Sequence, residues 1–155
     1  MAVLHYLSTA DPEFAMGKIF TLGLDCFAAP PAQVKRPRRE LEALRGRSDL
    51  TKLEKLHLEA ALLLAAEDWR AAMLGTGVIH CYQTFALSFV TAAFEEVLAL
   101  FPLDTYALHM AYFLALTTGH TARLRDTPAS VVQSYQPSNP FYGHVHGKLG
   151  FGQVR

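Results

Sequence analysis

Hydrophobic residues recur along most of this chain at the three- and four-residue spacing of amphipathic helices, and polar or proline-containing breaks separate the apolar stretches. The first stretch covers residues 10–28, where Asp11 and Pro12 have the order of a helix cap followed by a first-turn proline. One stripe of this stretch carries Phe20, Leu24 and Phe27. The pattern predicts a leading helix that ends at the proline pair 30–31.

A second apolar stretch, 51–102, opens with the clearest helix start in the sequence. Thr51 and Glu54 have the spacing of a capping box, in which each side chain bonds the backbone amide of the other residue. The following helix carries an apolar stripe of Leu53, Leu56, Ala60, Leu63 and Leu64. This stripe predicts a core face, on which the small side chain of Ala60 lets a neighbouring helix approach closely.

No Asp, Glu, Lys or Arg lies between Ala71 and Phe94, which leaves two interpretations of this stretch. A single membrane span is one, because a helix of this length can cross a bilayer. Its glycines, its scattered polar residues and the near absence of basic flanks argue instead for a buried segment containing an insertion at about 73–90. The glycines of Gly75-Thr76-Gly77 predict a break, bulge or loop, with helix resuming by 85–89.

The third stretch, 104–136, predicts a second hairpin of two helices. Asp104 is a good N-cap, and Gly119 lies where a helix commonly ends in a left-handed residue. The helix between them has a stripe of Leu108, Ala111, Leu114 and Ala115. Pro128 is expected in the first turn of a helix that restarts at Thr127. Residues 141–155 then predict the start of a further helix.

Charge and cysteine content exclude several classes of protein. The formal net charge is zero, which removes a global field that would attract nucleic acid. The basic cluster within 35–47 is interpreted as a linker or short helix, with a nuclear import signal or phosphate-binding patch as the alternative. Cys26 and Cys81 have no metal or redox spacing, and residues 1–9 lack the features of a secretory signal, so a cytoplasmic location is expected.

Two of these helical units show the positions of a tetratricopeptide repeat. In the first, the positions are Leu56, Ala60, Leu63, Trp69, Ala72, Phe94 and Pro102; in the second they are Leu108, Ala115 and Gly119. The second unit is degenerate, because Tyr112 occupies a position where a repeat prefers a small residue. The predicted fold is therefore all-α, with stacked helical hairpins of an incomplete α-solenoid over residues 1–155.

The amino-acid sequence of the chain resembles the tetratricopeptide repeat protein 38 family. The residues that carry the resemblance are 10–17, Leu50-Thr51, Glu54, Leu56, His57, 95–102, Ala107-Leu108, Gly119, Arg125-Asp126, Gly147 and Phe151-Gly152. The resemblance implies a curved helical-repeat protein without established catalytic residues. It also implies that the chain corresponds to an amino-terminal piece, since members of the family are longer; residues 73–90 are then an insertion or a gene-model artefact.

Candidate chemistry is sparse. His144 and His146 point in different directions on a helix, and no third metal ligand lies nearby. Glu95 and Glu96 are neighbours that face different sides of a helix, so we interpret them as solvated acids rather than a catalytic pair. His57 and His109 are interpreted as packing histidines. No catalytic residue, metal site or cofactor is predicted.

The sequence therefore predicts a non-enzymatic scaffold for protein–protein interaction whose groove binds a peptide or partner helix. The first helix of each hairpin should line that groove, with Lys52, Lys55, Glu59 and His109 as candidates. Self-association through uncapped helical ends is also predicted, and binding to nucleic acid is not. The alternatives are a single-span membrane protein through 71–94 and an enzyme of unknown reaction.

Overall fold

The computed structural model describes Asp11, Phe14 and residues 15–28, 31–66 and 79–153, with side chains described at all of these except 28, 31–32 and 79–87. Within these ranges the chain forms seven α-helices and one short 3-10 helix, Val132–Ser134, with no strand. The helices are α1 (Ala15–Ala28), α2 (Pro31–Leu44), α3 (Lys52–Ala66), α4 (Ile79–Leu100), α5 (Thr105–Thr117), α6 (Thr121–Val131) and α7 (Tyr142–Gln153). The all-α prediction is confirmed.

The chain divides into two compact units, Met1–Ala86 and Leu87–Arg155. In the first, α1, α2 and α3 pack on one another around a shared apolar core. Its buried residues are Ala15, Ile19, Cys26, Leu41, Leu44, Leu50, Leu58, Ala61, Leu62 and Ala65. His57 is also buried, with its ring 5.0 Å from that of Phe20 in an edge-on contact, so its interpretation as a packing histidine is confirmed.

The predicted capping box of α3 is present. The amide of Thr51 donates to the Glu54 carboxylate at 2.8 Å, and the amide of Glu54 donates to the Thr51 hydroxyl at 3.2 Å. Both bonds satisfy amides that the first turn of a helix leaves without intrahelical acceptors. The Trp69 and Ala72 positions, and the predicted break at 75–77, lie outside the described residues.

The core stripe predicted for α3 is wrong at one position, Leu63, which is 37% exposed. Helix α3 is buried on most sides, and its exposed positions are Lys52, Lys55, Glu59, Leu63 and Ala66. Leu63 falls on that narrow exposed stripe, whereas Ala60 and Leu64 lie in the core and Leu56 is half-buried. An apolar spacing alone could not distinguish a helix packed on one side from one packed on several.

The basic segment predicted at 35–47 as a linker or short helix is helical as far as Leu44, within α2. Two cations of the segment are paired within the helix, Arg36 to Glu40 at 2.9 Å and Arg38 to Glu42 at 3.0 Å. Both pairs span one helical turn and are exposed, so solvent screens them and they contribute little to stability. The buried Leu41 fixes the helix on the core. The segment is therefore an ordered, amphipathic part of the first unit.

In the second unit, the part of α4 from Leu87 onward lies with α5, α6 and α7. The fully buried side chains of the second unit include Phe94, Val97, Leu108, Leu114, Val131 and Val145. Glu95 of α4 joins α6 through two contacts: its carboxylate accepts from the Thr127 hydroxyl at 2.8 Å and lies 3.4 Å from the Arg123 guanidinium. The interpretation of Glu95 as a solvated acid is therefore wrong, while Glu96 is exposed.

Both predicted ends of α5 are confirmed. Asp104 caps the helix, since its carboxylate accepts from the amide of Ala107 at 2.8 Å. At the other end Gly119 has a φ of 70°, and the amides of Gly119 and His120 donate to the carbonyls of Leu116 and Ala115 at 3.3 and 2.9 Å. This is the bond pattern of a Schellman motif, in which a left-handed residue turns the chain out of the helix.

We expect Gly119→Ala to lower the free energy of unfolding of the second unit by about 1 kcal/mol, because an L side chain strains this left-handed backbone. Gly119→Asn should cost less, since asparagine tolerates the same conformation better. Urea denaturation of the two variants checks this ranking. Equal stability of wild type and Gly119→Ala would contradict the assigned turn.

The expectation that Pro128 begins a restarted helix is wrong. It lies inside the continuous α6, which ends in the 3-10 turn Val132–Ser134. Buried Leu124 and Val131 anchor α6 on either side of the proline. Pro128 has no amide hydrogen and cannot donate to the Leu124 carbonyl, so that carbonyl is available to another element.

Helix α4 begins within the uncharged stretch, at Ile79. It therefore begins before residues 85–89, by which the sequence predicted that helix resumes. None of the helices in the described ranges combines the length and apolar character that crossing a bilayer requires. Residues 71–78 lie outside those ranges.

Candidate functional site

The structure places three of the four predicted groove residues on the exposed stripe of α3. Lys52, Lys55 and Glu59 lie three and four residues apart and all are exposed. The Glu59 carboxylate is already engaged by Arg45, whose Nε and Nη2 atoms donate to it at 3.0 and 2.6 Å. The exposed stripe of α3 therefore presents two lysines, together with a Glu59 carboxylate whose charge Arg45 balances.

His109, the fourth predicted residue, lies in a richer setting in the second unit. It is an exposed residue of α5, and its ring stacks on that of His144 from α7, with centroids 6.3 Å apart and planes at 25°. The interpretation of His109 as a packing histidine among apolar residues is therefore wrong, because its side chain is only partly covered and lies against another histidine. Its neighbour comes from a helix more than thirty residues further along the chain.

One turn beyond His109, Tyr112 contacts two further residues of α7. The Lys148 ammonium lies 4.0 Å from the centre of the Tyr112 ring, which is cation–π geometry. The Phe151 ring meets Tyr112 edge-on at 6.4 Å and is itself 60% exposed. We call the set His109, Tyr112, His144, Lys148 and Phe151 the α5–α7 surface.

Helix α6 holds the two sides of this surface together. Tyr112, Ala115 and Leu124 form a small buried cluster between α5 and α6. On the other side, α7 meets α6 at Gly152, where a Cβ atom would lie 2.6 Å from the carbonyl carbon of Leu124 and 2.8 Å from the amide nitrogen of Arg125. Only glycine permits this backbone approach, and it occurs at the carbonyl that Pro128 cannot bond.

The pKa values of the ionisable groups of the α5–α7 surface are all shifted in the direction that favours the neutral form. Burial lowers the pKa of His109 below its ordinary value, and the nearby Lys148 and His144 lower it further. Burial and Lys148 lower the pKa of His144 in the same way, and burial lowers the pKa of Lys148. Partial desolvation and mutual repulsion of like charges are the physical causes.

This electrostatic arrangement predicts that acidification weakens the second unit. Because the folded state holds the histidine pKa values below the value of about 6.5 in an unfolded chain, the unfolded state binds more protons as the pH falls through that value. Stability should be highest above about pH 7 and should decline towards about pH 5. Amide hydrogen exchange of α5 and α7 at both pH values measures the decline.

Two substitutions make this prediction specific. His144→Gln should reduce the acid-induced loss of protection, because it removes one of the two facing imidazoles. His146→Gln is the matched control on the same helix, where His146 lies against the Tyr142 ring at 4.1 Å. An acid response that is the same in wild type and His144→Gln would contradict the role assigned to the histidine pair.

His144 and His146 diverge as their spacing predicts, since one ring lies against His109 and the other against Tyr142. No group of three or more His, Cys, Asp or Glu side chains suited to a metal ion occurs in the described part of the chain.

Sequence reasoning missed His144 as the ring partner of His109, and it missed the contacts of Tyr112 with Lys148 and Phe151. One signal was visible, since Tyr112 is a large side chain at a position where the predicted repeat would have a small one. His144 was considered only as a metal ligand. Its pairing with His109 depends on how α7 lies against α5, and local spacing does not encode that.

No family model matches the chain, and no solved structure matches it.

Proposed function

We propose that the chain is a non-enzymatic helical-repeat protein that binds a peptide or protein partner across the α5–α7 surface. The observation that carries this proposal is the side-chain contact between α5 and α7, which brings the exposed His109, His144 and Phe151 and the half-buried Lys148 together around the buried Tyr112. Aromatic side chains are enriched at the centres of protein interfaces.

In this proposal α5 and α6 form the degenerate second hairpin, and α7 opens the next unit. Support comes from the contacts of α6 with both α5 and α7, together with the side-chain contacts between α5 and α7. In stacked hairpins the first helices of successive units line one surface, and here those helices are α5 and α7. The resemblance to the tetratricopeptide repeat protein 38 family belongs to the same proposal. A cytoplasmic location belongs to it as well.

Selection of peptides from a displayed random library by the full chain tests this function. We expect enriched peptides whose affinity falls about tenfold or more in Phe151→Ala and His109→Ala, as for interface residues that contribute 1–2 kcal/mol. Leu103→Ala is the matched control, because Leu103 is 54% exposed and precedes α5. Failure to enrich any peptide would contradict the proposal. Peptides sensitive to Lys55→Ala alone would move the site to α3.

Self-association stays a prediction. The side chains that make it plausible are Phe89, Leu100 and Leu103 in and after α4, which are 54%, 46% and 54% exposed. Exposed apolar residues on one helix are common features of contacts between copies of a chain. Sedimentation velocity over a range of concentrations tests this, and a single monomeric species throughout would contradict it.

A further inference from the structure

Three nitrogen bases converge on the α5–α7 surface from two helices. His109 and His144 face each other with ring centroids 6.3 Å apart. Lys148, one turn beyond His144 on α7, holds its ammonium 4.0 Å from the Tyr112 ring centre. The surface therefore brings together three groups that can each donate a hydrogen bond and carry a positive charge.

None of the carboxylates in the described ranges forms an ion pair with His109, His144 or Lys148. Two acids of the neighbouring helices are paired elsewhere, Asp126 of α6 with Arg125 at 2.6 Å and Glu95 of α4 with Arg123 at 3.4 Å, and Glu96 of α4 is exposed. The other titratable side chains of α7 are His146 and Tyr142, whose rings lie against each other. Among the described residues, the positive charge that this cluster can acquire therefore has no carboxylate paired with it.

We propose that His109, His144 and Lys148 form a binding site for an oxyanion, the carboxylate or phosphate group of the partner segment. The inference rests on the proposed function, because the oxyanion is taken to belong to the partner segment that binds the α5–α7 surface. Charge-assisted hydrogen bonds to carboxylate or phosphate are stronger than neutral ones. The aromatic rings of Tyr112 and Phe151 beside the cluster exclude part of the water that would screen these bonds.

Binding at this site should depend on pH in a defined direction. An oxyanion favours the protonated imidazoles, so binding raises the pKa of both histidines, and affinity therefore increases as the pH falls from about 7.5 to about 6. Each unit of increase in one histidine pKa corresponds to a tenfold gain in affinity below that pKa. A bound oxyanion should also offset the loss of stability that acid causes in the free chain.

The test uses the full chain and inorganic phosphate as the probe, with acetate in a parallel series and chloride at matched ionic strength. Nuclear magnetic resonance resolves the ring signals of the seven histidines. At about pH 6 we expect saturable shifts of His109 and His144 in phosphate, acetate or both, and upward-shifted titration curves for these two residues. The anion that saturates at lower concentration identifies whether phosphate or carboxylate is preferred.

Two lysine variants complete the test. Lys148→Gln should lower the affinity for the anion about tenfold. Lys52 is an exposed lysine of α3, so Lys52→Gln should leave that affinity unchanged. Shifts of His146 equal to those of His144, or no effect of Lys148→Gln, would overturn the inference. If peptides bind the α5–α7 surface and no oxyanion does, the inference fails and the proposed function stands. If oxyanions bind and no peptide does, the proposed function fails alone.

Discussion

Gly152→Ala should release α7 from α6 and lower the free energy of unfolding of the second unit by about 3 kcal/mol. A Cβ atom at this position would overlap the carbonyl oxygen of Leu124 and lie 2.6 Å from its carbon, and both are backbone atoms of a packed helix. Because no side-chain rotation relieves that overlap, α7 has to move away from α6. The histidine stacking and the Lys148 contact with Tyr112 should be lost with it.

The same helix offers a matched control in Gly150, whose Cβ would meet nothing within 4 Å. Gly150→Ala should stabilise α7 by up to about 1 kcal/mol, because alanine is the better helix former and no contact opposes it. Urea denaturation measures both variants, and amide hydrogen exchange locates the change to α6 and α7. Equal stability of the two variants would contradict the close approach of α6 and α7.

Phe94→Ala should have the largest effect of any truncation in the second unit, a loss of about 3–5 kcal/mol. Phe94 is 1% exposed, and its ring meets that of Tyr106 edge-on at 6.0 Å, so it contacts α5 from α4. Truncation removes the buried ring and leaves a cavity that two helices cannot readily close.

Phe89→Ala on the same helix is the control, because Phe89 is 54% exposed. Its truncation should change the free energy of unfolding by less than about 0.5 kcal/mol. Chemical denaturation of the two alanine variants against wild type gives the comparison directly. Similar losses in both would mean that α4 packs on the second unit through another face.

Local signals in the sequence predicted the local features of this fold. The Thr51 and Glu54 pair, the Asp104 cap and the Gly119 turn each depend on residues within one or two turns of the chain, and the structure contains all three. Such motifs satisfy backbone groups at helix ends whatever the rest of the protein does, so their spacing is informative. The all-α class follows from the same kind of signal.

Features that depend on tertiary packing were not predictable from spacing. Leu63 has the position of a core residue in an apolar stripe, but its exposure is decided by which neighbours surround α3. Pro128 stays within α6 because buried residues anchor that helix on both sides. Glu95 reads as a surface acid until Arg123 and Thr127 of another helix are placed beside it.

The α5–α7 surface was also predictable only in part. His109 was recognisable as a polar position on the first helix of a hairpin. Its partners His144 and Lys148 belong to a later helix, and Gly152 determines where that helix lies. The structure gives Gly152 a physical role as the contact point between α6 and α7.

The surface, its acid response and its ligand all depend on the side-chain contacts between α5 and α7. Nuclear Overhauser measurements between the side chains of α5 and α7 test these contacts most directly. We expect cross-peaks that connect the ring protons of Tyr112 with the ring protons of Phe151 and with the methylene protons of Lys148. A well-resolved spectrum in which Tyr112 has neighbours on α6 and none on α7 would contradict them.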